Sequence, residues 1–434
     1  MTRHPSPLRS VAACVLLAFP AAAAAQSGSW TPKAAMPTAR EQAATAAVGG
    51  TIYVFGGIVG NTCQGITTVE AYDAAADQWT PKAPMPTARW NAAAVAVNGI
   101  IYVIGGSTGC GPRTAVVEAY DPASNTWSTR APMPGPRAGL AAGAIGNDIY
   151  AAGGSTPAET YVSTVDVFDP IANAWHAGVA MPTPRTNAVA GVIGGVLYVA
   201  TGCCVPEAAT RLESFDPASG IWTVRASLNQ GRVFRPAEAV VNDRFYVAGG
   251  NAGGPLHETE VYDPATNTWS FVAPMPTART DLSGAAANGK FYAIGGDVTG
   301  NDHATGVNEA FEPEAPEPPD TTPPLATVQA TPGVLWPPNH ALVPIQLQLT
   351  ATDDSGSFTV EGPFITSSDP INGTGDGDTA PDWVVDSKYA IRLRAERSGP
   401  ERGRTYTINY VVRDPSGNSV TVTATVSVPH GGRR

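Results

Sequence analysis

Met85-Pro86-Thr87-Ala88-Arg89-Trp90-Asn91 opens a unit that continues through Asn98-Gly99, Gly105-Gly106 and Val117-Glu118-Ala119-Tyr120-Asp121-Pro122 to Trp127. The same unit recurs along most of the chain. Its tryptophan returns as Trp30, Trp79, Trp127, Trp175, Trp222 and Trp269, 47 to 49 residues apart. In step with it run six arginines, Arg40, Arg89, Arg137, Arg185, Arg232 and Arg279. Paired glycines end a short alternating stretch in five units, and the fourth unit instead has Thr201-Gly202 followed by Cys203-Cys204. Turn residues between alternating stretches predict four short strands per unit. One such sheet cannot bury both of its faces, whereas six arranged radially can.

These residues resemble the kelch repeat, over residues 28–313. The resemblance implies an all-β fold, a six-bladed kelch β-propeller. The register adds how the ring closes. The sixth unit reaches Phe311-Glu312-Pro313 without its tryptophan, and Ser29-Trp30-Thr31-Pro32-Lys33 copies Gln78-Trp79-Thr80-Pro81-Lys82. The N-terminal strand is therefore expected to complete the last blade.

Composition agrees with this reading. Gly (46) and Pro (40) are abundant and charged residues make up only 15%, which favours short strands and tight turns over long helices. A net charge of −11 excludes nucleic acid as an expected partner, since phosphate binding needs a basic surface. Residues 1–25 read as an export signal: Arg3 and Arg9, the apolar run Val11–Phe19, then Ala23-Ala24-Ala25 before Gln26. The expected destination is secreted or periplasmic/cell surface, with no integral membrane segment once the signal is removed. In an oxidising compartment Cys63, Cys110, Cys203 and Cys204 are disulfide candidates. Cys63 and Cys110 follow the glycine pairs of consecutive units, so a bridge between them is expected. Cys203 and Cys204 then pair with each other or stay thiols.

The expected domains are a signal at 1–25, a propeller at 26–313, a linker rich in Pro and acids at 314–324, and a small immunoglobulin-like β-sandwich at 325–430. Alternation over Leu342–Thr350, Tyr406–Val412 and Val420–Val428 supports the last of these. Trp336-Pro337-Pro338-Asn339-His340 and Leu393-Arg394-Ala395-Glu396-Arg397 resemble modules appended to exported bacterial proteins. The Asp/Gly-rich stretch Asn372–Asp378, with Asp382 beyond it, lacks the full calcium-loop pattern and reads as a hairpin loop.

In the kelch family the strand after the repeated arginine is innermost. The resemblance thus implies Arg40, Arg89, Arg137, Arg185, Arg232 and Arg279 near one mouth of the channel, where guanidinium groups suit carboxylates. A structural alternative stands beside this. Each unit carries an acid two residues before an aromatic, Glu70, Glu118, Asp166, Glu213, Glu260 and Glu309, and buried acids need partners. The residues just after each arginine differ from unit to unit, as recognition positions do. Trp90 and Phe234 are stacking candidates, with Asn91, Asn187 and Asp281 as orienting groups.

Catalytic signatures are weak. The histidines are scattered singly, and neither a nucleophile elbow nor a phosphate loop occurs. No metal site and no cofactor is expected. Among kelch propellers that are enzymes, copper-radical oxidases need a His, Tyr and Cys set that these motifs do not assemble. Sialic-acid epimerases share the six-bladed repeat and the implied arginine mouth. The expected function is non-catalytic recognition of a glycan or protein ligand at the mouth, with epimerase-like and oxidase-like activities as alternatives.

Overall fold

The structure, a computed structural model, describes residues 28–60, 62–205, 207–301, 303–314, 320–369, 381–396 and 403–429. The expected signal at 1–25, the 372–378 loop, linker residues 315–319, Arg397 and His430 lie outside the described residues. Two compact units are present, the first ending at Glu314. Among the described residues no helix is long and apolar enough to cross a membrane.

Over its described residues the first unit is all-β and propeller-like, with one short 3-10 turn at Ala208–Thr210. It holds six four-stranded antiparallel sheets, numbered here by their first strands: Ala44–Val48, Ala93–Val97, Ala141–Ile145, Val189–Ile193, Ala237–Val241 and Ser283–Ala287. Each first strand lies beside that of the next sheet, and Ser283–Ala287 lies beside Ala44–Val48. Five sheets run consecutively in the chain. In the sixth, Ser29–Lys33 pairs antiparallel with Asn308–Glu312, setting Trp30 opposite Phe311.

The repeat's residues explain the packing. Tyr72 against Trp79, Tyr120 against Trp127 and Phe168 against Trp175 stand at 5.0 Å between ring centroids, so each of these sheets packs a buried ring against a partly buried Trp. The indole N–H then ties sheets together. Trp79 donates to Ala34 O (2.7 Å), Trp127 to Ala83 O (2.9 Å), and Trp30 to Ala273 O (2.8 Å), each time to the segment leaving the preceding sheet. The glycine pairs answer a close approach. Gly105 has φ +63, and a Cβ there would sit 2.5 Å from the carbonyl of Arg137.

The second unit contains a four-stranded sheet (Leu325–Thr331, Leu342–Thr352, Ala390–Arg394, Trp383–Ser387) and a three-stranded one (Thr359–Ser367, Arg404–Arg413, Ser419–Val428). Both contribute to one core, with Ile345, Leu347, Ile391 and Leu393 from one and Tyr406, Ile408, Tyr410 and Val426 from the other. Buried Arg404 is neutralised by Asp382 and Glu396. The two stretches singled out in the sequence meet here: His340 Nδ1 lies 3.2 Å from Glu396 Oε2, and Arg394 Nη1 donates to His340 O at 2.7 Å.

Candidate binding site at the mouth of the ring

The six repeated arginines are not available to a ligand, which corrects their assignment as binding groups. Arg40, Arg185, Arg232 and Arg279 have no exposed surface, Arg89 is 1% and Arg137 3% exposed. Each pairs with the acid of its own sheet: Arg40 with Glu70 (3.0 Å), Arg89 with Glu118 (2.6 Å), Arg137 with Asp166, Arg185 with Glu213, Arg232 with Glu260 (2.6 Å) and Arg279 with Glu309 (2.7 Å). Threonines of the motif complete the acids: Thr87 Oγ1 donates to Glu118 at 2.7 Å and Thr277 Oγ1 to Glu309 at 2.7 Å. The second guanidinium nitrogen binds backbone, as Arg232 Nη1 does to Gly249 O (3.0 Å) and Glu258 O (2.9 Å). Desolvation lowers the Arg40 and Arg89 pKa values to about 10, with the paired acids opposing it. The physical reason for the correction is that a sheet covered on both faces must neutralise its own buried carboxylate.

The residues two after each arginine form a belt. Gln42, Asn91, Gly139, Asn187, Phe234 and Asp281 all have φ between +52 and +65. Their backbones link sheet to sheet: Gln42 N donates to Asp281 O, Asn91 N to Gln42 O, Gly139 N to Asn91 O, Asn187 N to Gly139 O, and Asp281 N to Phe234 O, at 2.8–3.0 Å. Left-handed backbone favours Gly, Asn and Asp. Most of the variation at these positions is therefore conformational. Asn91 Nδ2 donates to Asn187 Oδ1 (2.8 Å) over Gly139, where a Cβ would lie 2.6 Å from that same Oδ1. Trp90 is half-buried, and its indole N–H donates to Cys63 O at 3.2 Å, which fastens it to the loop of the preceding sheet.

Phe234 stands apart. It is 46% exposed, and it is an aromatic residue in left-handed backbone. Its carbonyl is held by Asp281 N and Thr280 Oγ1, both at 3.0 Å. In the fourth repeat, Thr186 pairs with Cys203, and a disulfide joins Cys203 to Cys204. The expected Cys63–Cys110 bridge is not formed. The Cys110 thiol instead faces the carbonyl of Thr62 at 3.9 Å, because the first loop presents its backbone there.

Sequence reasoning missed two residues of the fifth sheet, Arg235 and Glu238. Three residues after the repeated arginine the chain has Ala43, Ala92, Leu140, Ala188, Arg235 and Leu282; six residues after, where Arg232 is followed by Glu238, the others have Ala46, Val95, Gly143, Gly191 and Ala285. Strand pairing offsets the fifth sheet by one residue, so Glu238 lies level with Thr45, Ala94, Ala142, Ala190 and Gly284, the second residues of the other first strands. Superposing the units would have exposed both charges. Arg235 Nη1 donates to Ala92 O of the second sheet at 3.0 Å. Gly284 leaves room for the neighbouring strand, since a Cβ there would lie 2.2 Å from Glu238 N.

A cavity of about 20 Å³ is lined by Arg235, Glu238, Thr45 and alanines of sheets two to four. Burial pushes the Glu238 pKa up to about 8, and Arg235 pulls it back. The carboxyl is thus protonated in the folded chain where an ordinary Glu, near 4.5, has ionised. Its stabilising contribution is full below about pH 4.5 and is lost as pH rises through about 8. With each pKa unit worth about 1.4 kcal/mol, wild type should lose up to a few kcal/mol relative to Glu238→Gln between pH 5 and 8. Parallel urea-unfolding series for the two chains would show a constant difference if Glu238 titrates normally.

In the second unit Asp320, Asp353 and Asp414 bring carboxylate oxygens within 4.8 Å of one another.

Comparison with known proteins places this ring in a class. Residues 91–296 match a model described as the KLHDC2/KLHL20/DRC7 Kelch-repeats domain, and residues 39–86 match the Kelch motif. Over these residues the chain carries kelch repeats. Similar proteins include human Kelch-like protein 35 (42% identical over 76 residues, 17% of this chain and 13% of that one). The F-box protein AFR of Arabidopsis thaliana is 32% identical over 114 residues, 25% of this chain and 30% of the other. The chain thus spans less than a third of the length of these relatives. The solved structure of YjhT superposes with a TM-score of 0.55 at 17% identity, covering 63% of this chain and 95% of YjhT, a likeness of fold.

Proposed function

We propose that this chain is an exported, non-catalytic binding protein that takes a glycan or protein ligand at the mouth of a six-bladed propeller. The N-terminal strand closes the ring, and the C-terminal unit is an immunoglobulin-like β-sandwich acting as a spacer or second contact. The observation that carries the reading is Phe234. At five of the six belt positions the residue is Gln, Gly, Asn or Asp, whereas the fifth blade holds a large aromatic ring open to solvent on a fixed backbone. Exposed aromatics on rigid backbone lose little entropy on binding and serve as anchors.

Glycan and peptide arrays probed with the full chain test this. Phe234→Ala should weaken a captured ligand by about 1–3 kcal/mol while leaving the melting temperature nearly unchanged. Trp90→Ala should instead lower the melting temperature, since its ring and N–H fasten two blades. Unchanged capture by Phe234→Ala would move the site away from the belt, and turnover of an acidic sugar would overturn the non-catalytic reading.

A further inference from the structure

Arg235 is a buried cation and Glu238 a half-buried acid, and the two are not ion-paired. Arg235 is 7% exposed, and among the described residues its side chain donates to Ala92 O and forms no ion pair with Glu238. Glu238 Oε2 is fully enclosed without a hydrogen-bond partner. The other blades close the same level of the channel with Thr, Ala and Gly, and each blade's own arginine and acid are already paired, so the fold does not require these two groups. Between them lies the cavity of about 20 Å³, room for one small polar group rather than for a side chain.

We infer that Arg235 and Glu238 form a carboxylate-binding pocket on the channel axis, into which a ligand held at the mouth inserts one acidic group. This deepens the mouth reading and rests on it. A guanidinium carries five N–H donors, and the bond to Ala92 uses one, leaving donors for a carboxylate. Glu238 in its protonated form adds an O–H donor, whereas ionised it repels the ligand. Arg235 precedes its own strand, Asp281 of the sixth blade acts on Arg235, and Thr45, Ala94, Ala142 and Ala190 do not titrate in this range. Binding should therefore weaken as pH rises past about 8.

The test uses the full chain and small probes: acetate, acetamide and chloride at constant ionic strength, read by thermal unfolding at pH 6 and 9.5. Acetate should raise the midpoint saturably at pH 6, acetamide and chloride should not, and the rise should disappear at pH 9.5. Arg235→Met should abolish the response. Glu238→Gln should keep it and extend it to pH 9.5, so the inference stays testable if Arg235→Met fails to fold. Equal responses to acetate and chloride in wild type would overturn the pocket, as would a Glu238→Gln response that still vanishes at pH 9.5. Array ligands that bind wild type and Arg235→Met alike would overturn the pocket while leaving the mouth reading intact. Arrays without any ligand would instead sink the mouth reading.

Discussion

Arg232→Met is expected to cost about 3–5 kcal/mol of folding stability, the scale seen when one partner of a buried ion pair is removed. Neither Arg232 nor Glu260 has exposed side-chain surface, and their nitrogen and oxygen stand 2.6 Å apart. Losing the guanidinium strands the Glu260 charge in a low-dielectric interior and leaves the carbonyls of Gly249 and Glu258 without their side-chain donor. Asn229 still donates to Glu260 through its backbone and side-chain nitrogens, so the acid is not wholly abandoned. The double variant Arg232→Met/Glu260→Leu should recover much of the loss, because an apolar pair of similar volume carries no desolvation cost. Urea unfolding with an unchanged slope measures both. A single-variant cost below about 1 kcal/mol, the range of surface pairs, would mean that these arginines are not structural.

Deleting Ser29–Lys33 is the second large effect. The strand pairs with Asn308–Glu312, and Trp30 packs on Phe291 and Phe311 with centroid distances of 5.5 and 5.4 Å. Removing a fully buried Trp side chain costs about 3–5 kcal/mol, and partly buried Trp30 should approach the lower end of that range. The deletion also bares the backbone of Asn308–Glu312 as a sheet edge, which invites pairing with a second chain. The truncated protein should melt well below wild type and self-associate. Trp30→Ala should cost about as much as Trp79→Ala, since both indoles make the same bond to the preceding segment. A truncated chain that melts like wild type, as a monomer, would reject closure by this strand.

The sequence by itself determined the repeat. Tryptophan spacing, paired glycines and the displaced Ser29–Lys33 copy are local signals whose period survives in one dimension, and they lead directly to sheets of four strands. It also held both readings of the arginines without deciding between them. Charge type is legible in a sequence, but whether Arg185 meets solvent or Glu213 depends on which faces are covered, and only the packed ring settles that. The belt shows the same limit. Gln42, Asn91, Gly139 and Asp281 differ in kind yet share one left-handed backbone, so what reads as chemical diversity is a common conformational demand. Trp90 and Phe234 read alike in the chain, and tertiary structure separated them, fastening one to the Cys63 loop and leaving the other open. Arg235 and Glu238 stayed hidden because their meaning lies across the ring. Arg235 reaches Ala92, 143 residues away, and no local pattern encodes a contact over that distance.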